Sequence, residues 1–367
     1  MKILFIDNSG LISRDDDFCI ESKTGDFTLE LKNIGNEITF YGQKLKPSET
    51  TIHVFGIKKN GMKVCGLKRK KNKLLNYILL YLCVIPAVYK SDFVYIFYPN
   101  AFKYVAFIAN LLRKKFGIYI RGMEDLDDKA SHWIYKHAFT IFTVSEDFTN
   151  FINSIVKKEI ASTIRPMIPF TENDIIKNRI YENKDKYVFL YLGRTSDDKG
   201  LIELLNAISI LKESRNDFYL NIVGNGEYFE QLKELTNHLS LFEYVNFTGG
   251  VYGPNKIKKY YLDADIYILP TYHEGFPRTL YEAMIFGTPI ITTFVGGISS
   301  HMINNENCLK IEPKSVDSIV NALTFAMNNY NHMGKLAKNG MITVAKIVDS
   351  KRLTHAQDLN NKITLIK

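Results

Sequence analysis

Tyr187-Val188-Phe189-Leu190-Tyr191-Leu192-Gly193-Arg194-Thr195-Ser196-Asp197-Asp198-Lys199-Gly200 is the stretch whose reading decides the fold. Six apolar or aromatic residues run without alternation, as in a parallel strand covered on both faces. A glycine ends the run, a polar turn follows, and a helical segment over 200–214 comes next. The same unit then repeats. Strands are expected over 218–223, 245–248, 266–269 and 289–292, and helices over 227–240, 254–262 and 279–286. Strands alternating with helices in this way predict βαβ units and a doubly wound α/β sheet.

Upstream the alternation is coarser. Strands are expected over 3–6, 37–41, 51–55, 93–97, 118–121 and 141–144, with helices near 74–90, 101–115, 129–138 and 146–157. The acid-rich stretches 15–17 and 124–128 read as loops. Residues 165–186, proline-bearing and then polar, read as an interdomain connection. The chain of 367 residues is long enough for two domains with a core each. The expected architecture is therefore two Rossmann-like, doubly wound domains in series with a cleft between them. Their boundaries are 1–168 and 169–345, with a helix over 346–367 returning to the first domain.

Composition narrows the class. Hydrophobic residues make up 46% and charged residues 23%, a globular balance that excludes a disordered or fibrous chain. Cys19, Cys65, Cys83 and Cys308 are scattered and form no CxxC pair. A disulfide framework or thiolate zinc site is not expected, and a reducing cytoplasm fits. Met1 to Asp7 reads as a first strand, not as a secretory leader.

The formal net charge of +8 lies wholly in the first half: residues 1–168 carry 25 Lys and Arg against 17 Asp and Glu, while residues 169–367 carry 22 of each. Between Glu49 and Asp92 stand nine bases and no acid. Lys68, Arg69, Lys70, Lys71 and Lys73 directly precede an apolar run over 74–89, interrupted by Asn76 and Pro86. A transmembrane helix needs about 20 apolar residues, and this run is shorter. Two readings stay open: a buried helix of the first domain, or a basic, apolar element across 58–90 that docks on an anionic bilayer. No nucleic-acid-binding motif accompanies the basic cluster, so nucleic acid is not an expected partner.

Ligands of doubly wound sheets bind outside the carboxyl ends of the strands, so the strand-end loops hold the candidates. In the first, Arg194 and Lys199 flank a turn that leads into a helix, and two cations beside helix-end N–H groups suit a phosphate or diphosphate. Solvated loop charge is the plainer alternative. Val223-Gly224-Asn225-Gly226 would allow close backbone approach to a ligand, although a simple turn explains it equally well. The densest segment is Leu269-Pro270-Thr271-Tyr272-His273-Glu274-Gly275-Phe276-Pro277-Arg278-Thr279-Leu280-Tyr281-Glu282-Ala283-Met284, which puts Glu274 in a loop and Glu282 on the helix that follows. After it, Gly287-Thr288-Pro289 leads through a strand to Gly296-Gly297.

In their order and spacing these motifs, with Val245-Asn246-Phe247-Thr248-Gly249 and Ala264-Asp265 ahead of the last pair, resemble glycosyltransferase family 4, the group 1 retaining transferases of GT-B fold. The resemblance covers about residues 187–300. It implies metal-independent, retaining transfer of a hexosyl or N-acetylhexosaminyl group from a nucleotide-diphosphate donor, UDP- or GDP-linked, with no cofactor. With the acid-free stretch 50–91 turned to the inner leaflet, the expected acceptor is a saccharide or lipid-linked saccharide of cell-envelope polysaccharide synthesis: capsule, O-antigen or exopolysaccharide. The resemblance also implies that Arg194 and Lys199 neutralise the diphosphate and that Glu274 stands beside the donor sugar, these three being the catalytic candidates. Glu282 is expected on the ribose, with Gly193, Gly224, Gly226, Gly249, Val251, Gly275, Phe276, Pro277 and Gly296 completing the donor site.

The first half departs from the family. The loop after its first strand has one glycine, Gly10, and Ile120-Arg121-Gly122 stands where a histidine is common. Gly10, Arg121, Ser145 and Glu146 are the acceptor-side candidates. The cysteine pattern places the enzyme in the cytoplasm, peripheral on the inner face of the membrane if the basic segment docks there. Two other readings stay open: a sugar-nucleotide epimerase or hydrolase on the same fold, and a non-catalytic, transferase-like subunit.

Overall fold

The computed structural model describes residues 1–7, 10–45, 53–98, 102–122 and 125–366. The chain forms two compact units, residues 1–167 with 353–367, and residues 168–352.

Unit 1 contains β1 (Lys2–Ile6), β2 (Leu11–Arg14), β3 (Asp17–Glu21), α1 (Ser22–Asn33), β4 (Glu37–Leu45), β5 (His53–Gly56), β6 (Lys63–Lys68), α2 (Lys73–Lys90) and β7 (Phe93–Tyr98). These are followed by α3 (Val105–Leu111), β8 (Lys115–Ile120), α4 (Lys129–His137), β9 (Thr140–Thr143), α5 (Glu146–Val156) and β10 (Ala161–Thr163). The strands form one sheet in the order β10-β9-β8-β7-β1-β4-β2-β3-β5, with β6 also paired to β4. Pairing is parallel except at β2–β3 and β3–β5. All six side chains of β7 are buried, as its unbroken apolar run predicts for a central parallel strand.

Unit 2 contains β11 (Tyr187–Leu192), α6 (Leu201–Leu211), β12 (Phe218–Val223), α7 (Phe229–His238), β13 (Val245–Gly249) and α8 (Pro254–Asp263). Then come β14 (Ile266–Leu269), α9 (Arg278–Ile285), β15 (Ile290–Thr292), β16 (Leu309–Lys310), α10 (Val316–Asn328) and α11 (Tyr330–Ile347). Its sheet is wholly parallel, in the order β13-β12-β11-β14-β15-β16. Counted within the unit this is the 3-2-1-4-5-6 order of a dinucleotide-binding sheet, and the order reverses between β11 and β14.

Several elements of the first half escape the sequence pattern. Residues 11–33 form β2, β3 and α1, none of which the pattern predicts. Asp15 and Asp16 turn with positive φ, but Asp17 is a buried first strand residue and not part of the loop. Its carboxylate accepts from the backbone N–H groups of Phe18, Lys58 and Lys59. Burial pushes its pKa up, but these bonds and the Lys58 charge prevail and hold it below the ordinary value. β6 and the short β10 were likewise not expected, and the expected strand over 51–55 and helix over 101–115 begin outside the described residues. Of these two, β5 starts at His53 and α3 spans Val105–Leu111.

The segment read as an interdomain connection belongs to unit 2 from residue 168 onward. Phe170 and Tyr181 are buried in its core. The Arg179 guanidinium donates to the carbonyls of Tyr261, Ala264 and Phe286 and to the Thr288 hydroxyl. A polar composition concealed this because the segment is fixed by hydrogen bonds more than by apolar periodicity.

After α11 the chain re-enters unit 1 as α12 (His355–Ile363), starting later than the expected 346. Ala356, Leu359 and Ile363 are buried in the unit 1 core. Thr354 caps α12 and donates its hydroxyl to Glu30 of α1. The four cysteines are free thiols.

Candidate active site

In open α/β sheets the crevice at the reversal of strand order is where ligands bind. In unit 2 that point is flanked by the loops after β11 and β14, which carry residues 193–200 and 270–277. The two loops are joined backbone to backbone: Tyr272 N–H donates to the Asp198 carbonyl at 2.7 Å, and the Thr271 hydroxyl donates to the same oxygen.

Lys199 is the centre of the site. It is only 6% exposed, and its Nζ lies 2.7 Å from Glu274 Oε1 and 2.7 Å from Asp198 Oδ2. A third contact reaches the His273 carbonyl at 3.4 Å. A buried ammonium is tolerated when its donors are satisfied, and here two carboxylates and a carbonyl do so. Burial raises the pKa of Asp198, but the bonds from Lys199 and Ser196, with the charges of Lys199 and Arg194, hold it below the ordinary value. Arg194 itself is exposed, and its carbonyl accepts from the Tyr191 hydroxyl. Solvated loop charge describes Arg194 but not Lys199.

Glu282 is not a surface helix residue. It is 6% exposed on α9, and its Oε2 accepts from the Tyr261 hydroxyl of α8 at 3.0 Å. Burial drives the Tyr261 phenol far above its ordinary pKa, and the Glu282 charge adds to this. Tyr267 of β14 stands in the field of both glutamates. Its fully buried phenol donates to Thr279 Oγ1 in the first turn of α9, and after burial the charges of Glu274 and Glu282 both raise its pKa. Tyr261, Tyr267 and Asp198 were not singled out in the sequence. Strong β-strand or helix patterning hid the two tyrosines, and Asp198 lay unremarked inside the quoted loop.

The glycines serve the loops. At Gly224, where φ is +145°, a Cβ would stand 1.8 Å from the Gly193 carbonyl oxygen. At Gly226 it would stand 2.3 Å from the Thr195 carbonyl oxygen, and at Gly200, with φ of +66°, 2.1 Å from the Pro270 carbonyl oxygen. Gly193 N–H bonds to Val223, Thr195 N–H to Asn225, and Gly224 N–H to Gly249. The close approach expected toward a ligand at Gly224 and Gly226 is thus made by a neighbouring strand-end loop. Val251 is half-buried beyond β13.

On the other side, Gly297 N–H donates to the Gly275 carbonyl at 2.7 Å, directly after Gly296 with its φ of +61°. The Phe276 ring stacks on Tyr281 at 4.4 Å and meets His301 edge-on. Pro277 is the N-cap of α9 and provides no side-chain cap, while its carbonyl accepts from the Leu280 N–H in the first turn at 3.1 Å.

In unit 1 the acceptor-side candidates find structural partners. Arg121 pairs with the buried Asp7 at 2.9 Å and lies over the Phe97 ring. Ser145 is the N-cap of α5, its Oγ accepting from Phe148 N–H, and Glu146 sits in the first turn, where an acid favours the helix dipole. Gly10 has φ of +83°, and a Cβ there would meet the Leu45 side chain at 2.5 Å.

Residues 172–342 match the family model for group 1 glycosyl transferases. Over all of this chain the structure superposes on 99% of Anabaena HepE, solved with UDP, at a TM-score of 0.70 and 15% identity. The fold is GT-B. Among curated proteins, the chain is 34% identical over 150 residues to a putative teichuronic acid biosynthesis glycosyltransferase, TuaC, of Bacillus subtilis, covering 41% of this chain and 35% of that one. It is 30% identical over 162 residues to the lipopolysaccharide 1,2-N-acetylglucosaminetransferase of Salmonella typhimurium, covering 42% of each. The chain thus spans well under half the length of these two relatives. The GT-B matches and the family model meet on unit 2, where Arg194, Lys199, Glu274 and Glu282 all lie.

Proposed function

We propose that the chain transfers a sugar from a nucleotide-diphosphate donor to a saccharide or lipid-linked acceptor of cell-envelope polysaccharide synthesis. In this reading the reaction retains anomeric configuration, needs no metal ion or other cofactor, and moves a hexosyl or N-acetylhexosaminyl group from UDP or GDP. One observation carries it: the two loops at the strand-order reversal, within the segment matched by the group 1 family model, hold Lys199 against Glu274 at 2.7 Å with Arg194 in the same loop. The named relatives support the envelope assignment, and the UDP in the HepE structure supports a uridine donor.

The residues divide the work by their surroundings. Arg194 is exposed and can meet an arriving diphosphate. Lys199 already spends two donors on Asp198 and Glu274, so it holds the Glu274 carboxylate in place as well as adding positive charge. The N-terminal end of α9, which carries no side-chain cap, adds its helix dipole to the stabilisation of the same developing negative charge on the leaving group. Glu282, positioned by its bond from Tyr261, is the carboxylate that would accept from the ribose hydroxyls.

A thermal-shift panel of UDP-, GDP- and ADP-sugars tests donor binding, since a ligand of the native state raises its stability. Release of the nucleoside diphosphate should then depend on acceptor, survive a chelator, and be lost in Glu274→Ala. Conversion of the free sugar nucleotide without any acceptor would replace this reading with an epimerase.

A further inference from the structure

The helix α2 and the basic run ahead of it belong to unit 1 and carry none of the residues assigned to the donor site. Asn76, Leu80, Val84 and Val88 make a narrow buried stripe against unit 1. Roughly opposite, at helical spacing, stand Leu74, Ile78, Leu82, Ile85 and Tyr89, all exposed, Leu74 by 71% and Tyr89 by 69%. A helix apolar on every side belongs in a core or against lipid, and this one is only 22% buried. The buried-helix reading of the sequence therefore fails for most of α2. By length and composition the helix could cross a bilayer, but its buried stripe fixes it as a layer on the sheet, so it lies along a surface.

The charge adjoins this apolar face. Lys68, Arg69, Lys70, Lys71 and Lys73 are all exposed. Lys70 N–H donates to Asn76 Oδ1 at 2.8 Å, and Asn72 caps α2, which ties the run to the first turn of the helix. Lys44, Lys68, Arg69, Lys70 and Lys71 line a cavity of about 710 Å³, and no carboxylate stands among its described lining residues.

We propose that α2 and residues 68–73 are an interfacial docking surface for an anionic lipid bilayer. The helix would lie in the membrane plane with Leu74, Ile78, Leu82, Ile85 and Tyr89 among the acyl chains and the Lys/Arg run on headgroup phosphates. A second copy of the chain is the poorer occupant. An isologous contact sets the same patch against itself, and residues 50–91 offer nine bases and no acid to neutralise them. A nucleic acid would leave the aliphatic face unmatched. The proposal stands on unit 1 alone and is independent of the donor chemistry of unit 2.

Co-sedimentation of the full chain with vesicles of phosphatidylcholine, alone or with one third phosphatidylglycerol, tests it. Binding is expected to the anionic vesicles, weakening as salt rises, with each basic residue contributing about fivefold. Ile78→Ser with Leu82→Ser should lower binding by about tenfold or more, and Lys70→Gln with Lys71→Gln should lower it on anionic vesicles. Both variants alter exposed side chains and should keep the wild-type melting temperature and the donor-induced thermal shift. Equal binding to both vesicle types, or wild-type binding by the apolar variant, overturns the proposal. So does a concentration-dependent dimer that the apolar variant abolishes.

Discussion

Lys199 and Arg194 look alike in the sequence, a cation on either side of one turn, yet their surroundings give them different roles. Arg194 is exposed, whereas Lys199 is enclosed by Asp198 and Glu274. Removing Arg194 should weaken donor binding by about 1–3 kcal/mol, the range for one charged hydrogen bond, and leave stability nearly unchanged. Lys199→Ala should do both kinds of damage, because it leaves two carboxylates together without their counter-ion. A loss of about 3 kcal/mol in stability is expected on top of the binding loss. Titration of the two variants with a sugar nucleotide, alongside their melting curves, separates the effects. Equal stability of the two would mean that the Lys199 pairs contribute little to the fold.

At the scale of elements, the strand-end loops of unit 2 depend on one another more than on any ligand. The loops after β11, β12 and β14 meet backbone to backbone at Gly193, Gly224, Gly226 and Gly200. Gly224→Ala would force a methyl group to 1.8 Å from the Gly193 carbonyl oxygen with φ at +145°, and both strain and overlap oppose it. It should destabilise by about 3 kcal/mol or more, enough to lower soluble yield, with or without donor present. Gly122→Ala is the control, since no atom of the described residues lies within 4 Å of a Cβ there, and its change should stay within about 0.5 kcal/mol. Comparison of their denaturation midpoints decides whether the glycines of this unit serve packing. The helices repeat the theme: Ser145 caps α5 and Glu282 of α9 engages Tyr261 of α8. A residue type chosen for chemistry in the sequence thus has structural work in the fold.

At the scale of the whole chain, the last helix belongs to unit 1 although it follows unit 2. His355 at its start is fully enclosed by Phe27, Phe97, Tyr119 and Phe142, and its Nε2 meets the Tyr95 hydroxyl. Burial, with the nearby Lys362 charge, pushes its pKa down from 6.5 to about 3. An unfolded chain takes up a proton on this imidazole below pH 6.5, and the folded chain refuses it until about pH 3. Stability therefore rises with pH across that window and is lost on the way down, by about 2 kcal/mol between pH 6.5 and 4.5. His355→Phe should remove this slope, as read from urea midpoints at several pH values. An unchanged slope would place the titration elsewhere.

The alternating runs from Tyr187 onward determined the parallel sheet of unit 2, because a strand covered on both faces is apolar without interruption and needs no distant partner to be recognised. The ordered glycines, cations and acids of its loops likewise marked the candidate site. Elements whose signal is not periodic were invisible: β3 is tied through the buried Asp17 to the turn at Lys58 and Lys59, and residues 168–186 are held by Arg179 and Tyr181. The sequence also left open whether α2 was covered. Only the tertiary structure decided that Lys199 is caged, that Glu282 points at a tyrosine, that Gly224 meets a carbonyl, and that the apolar face of α2 is bare. Each of these depends on contacts between residues far apart in the chain, and local composition and spacing carry no record of such contacts.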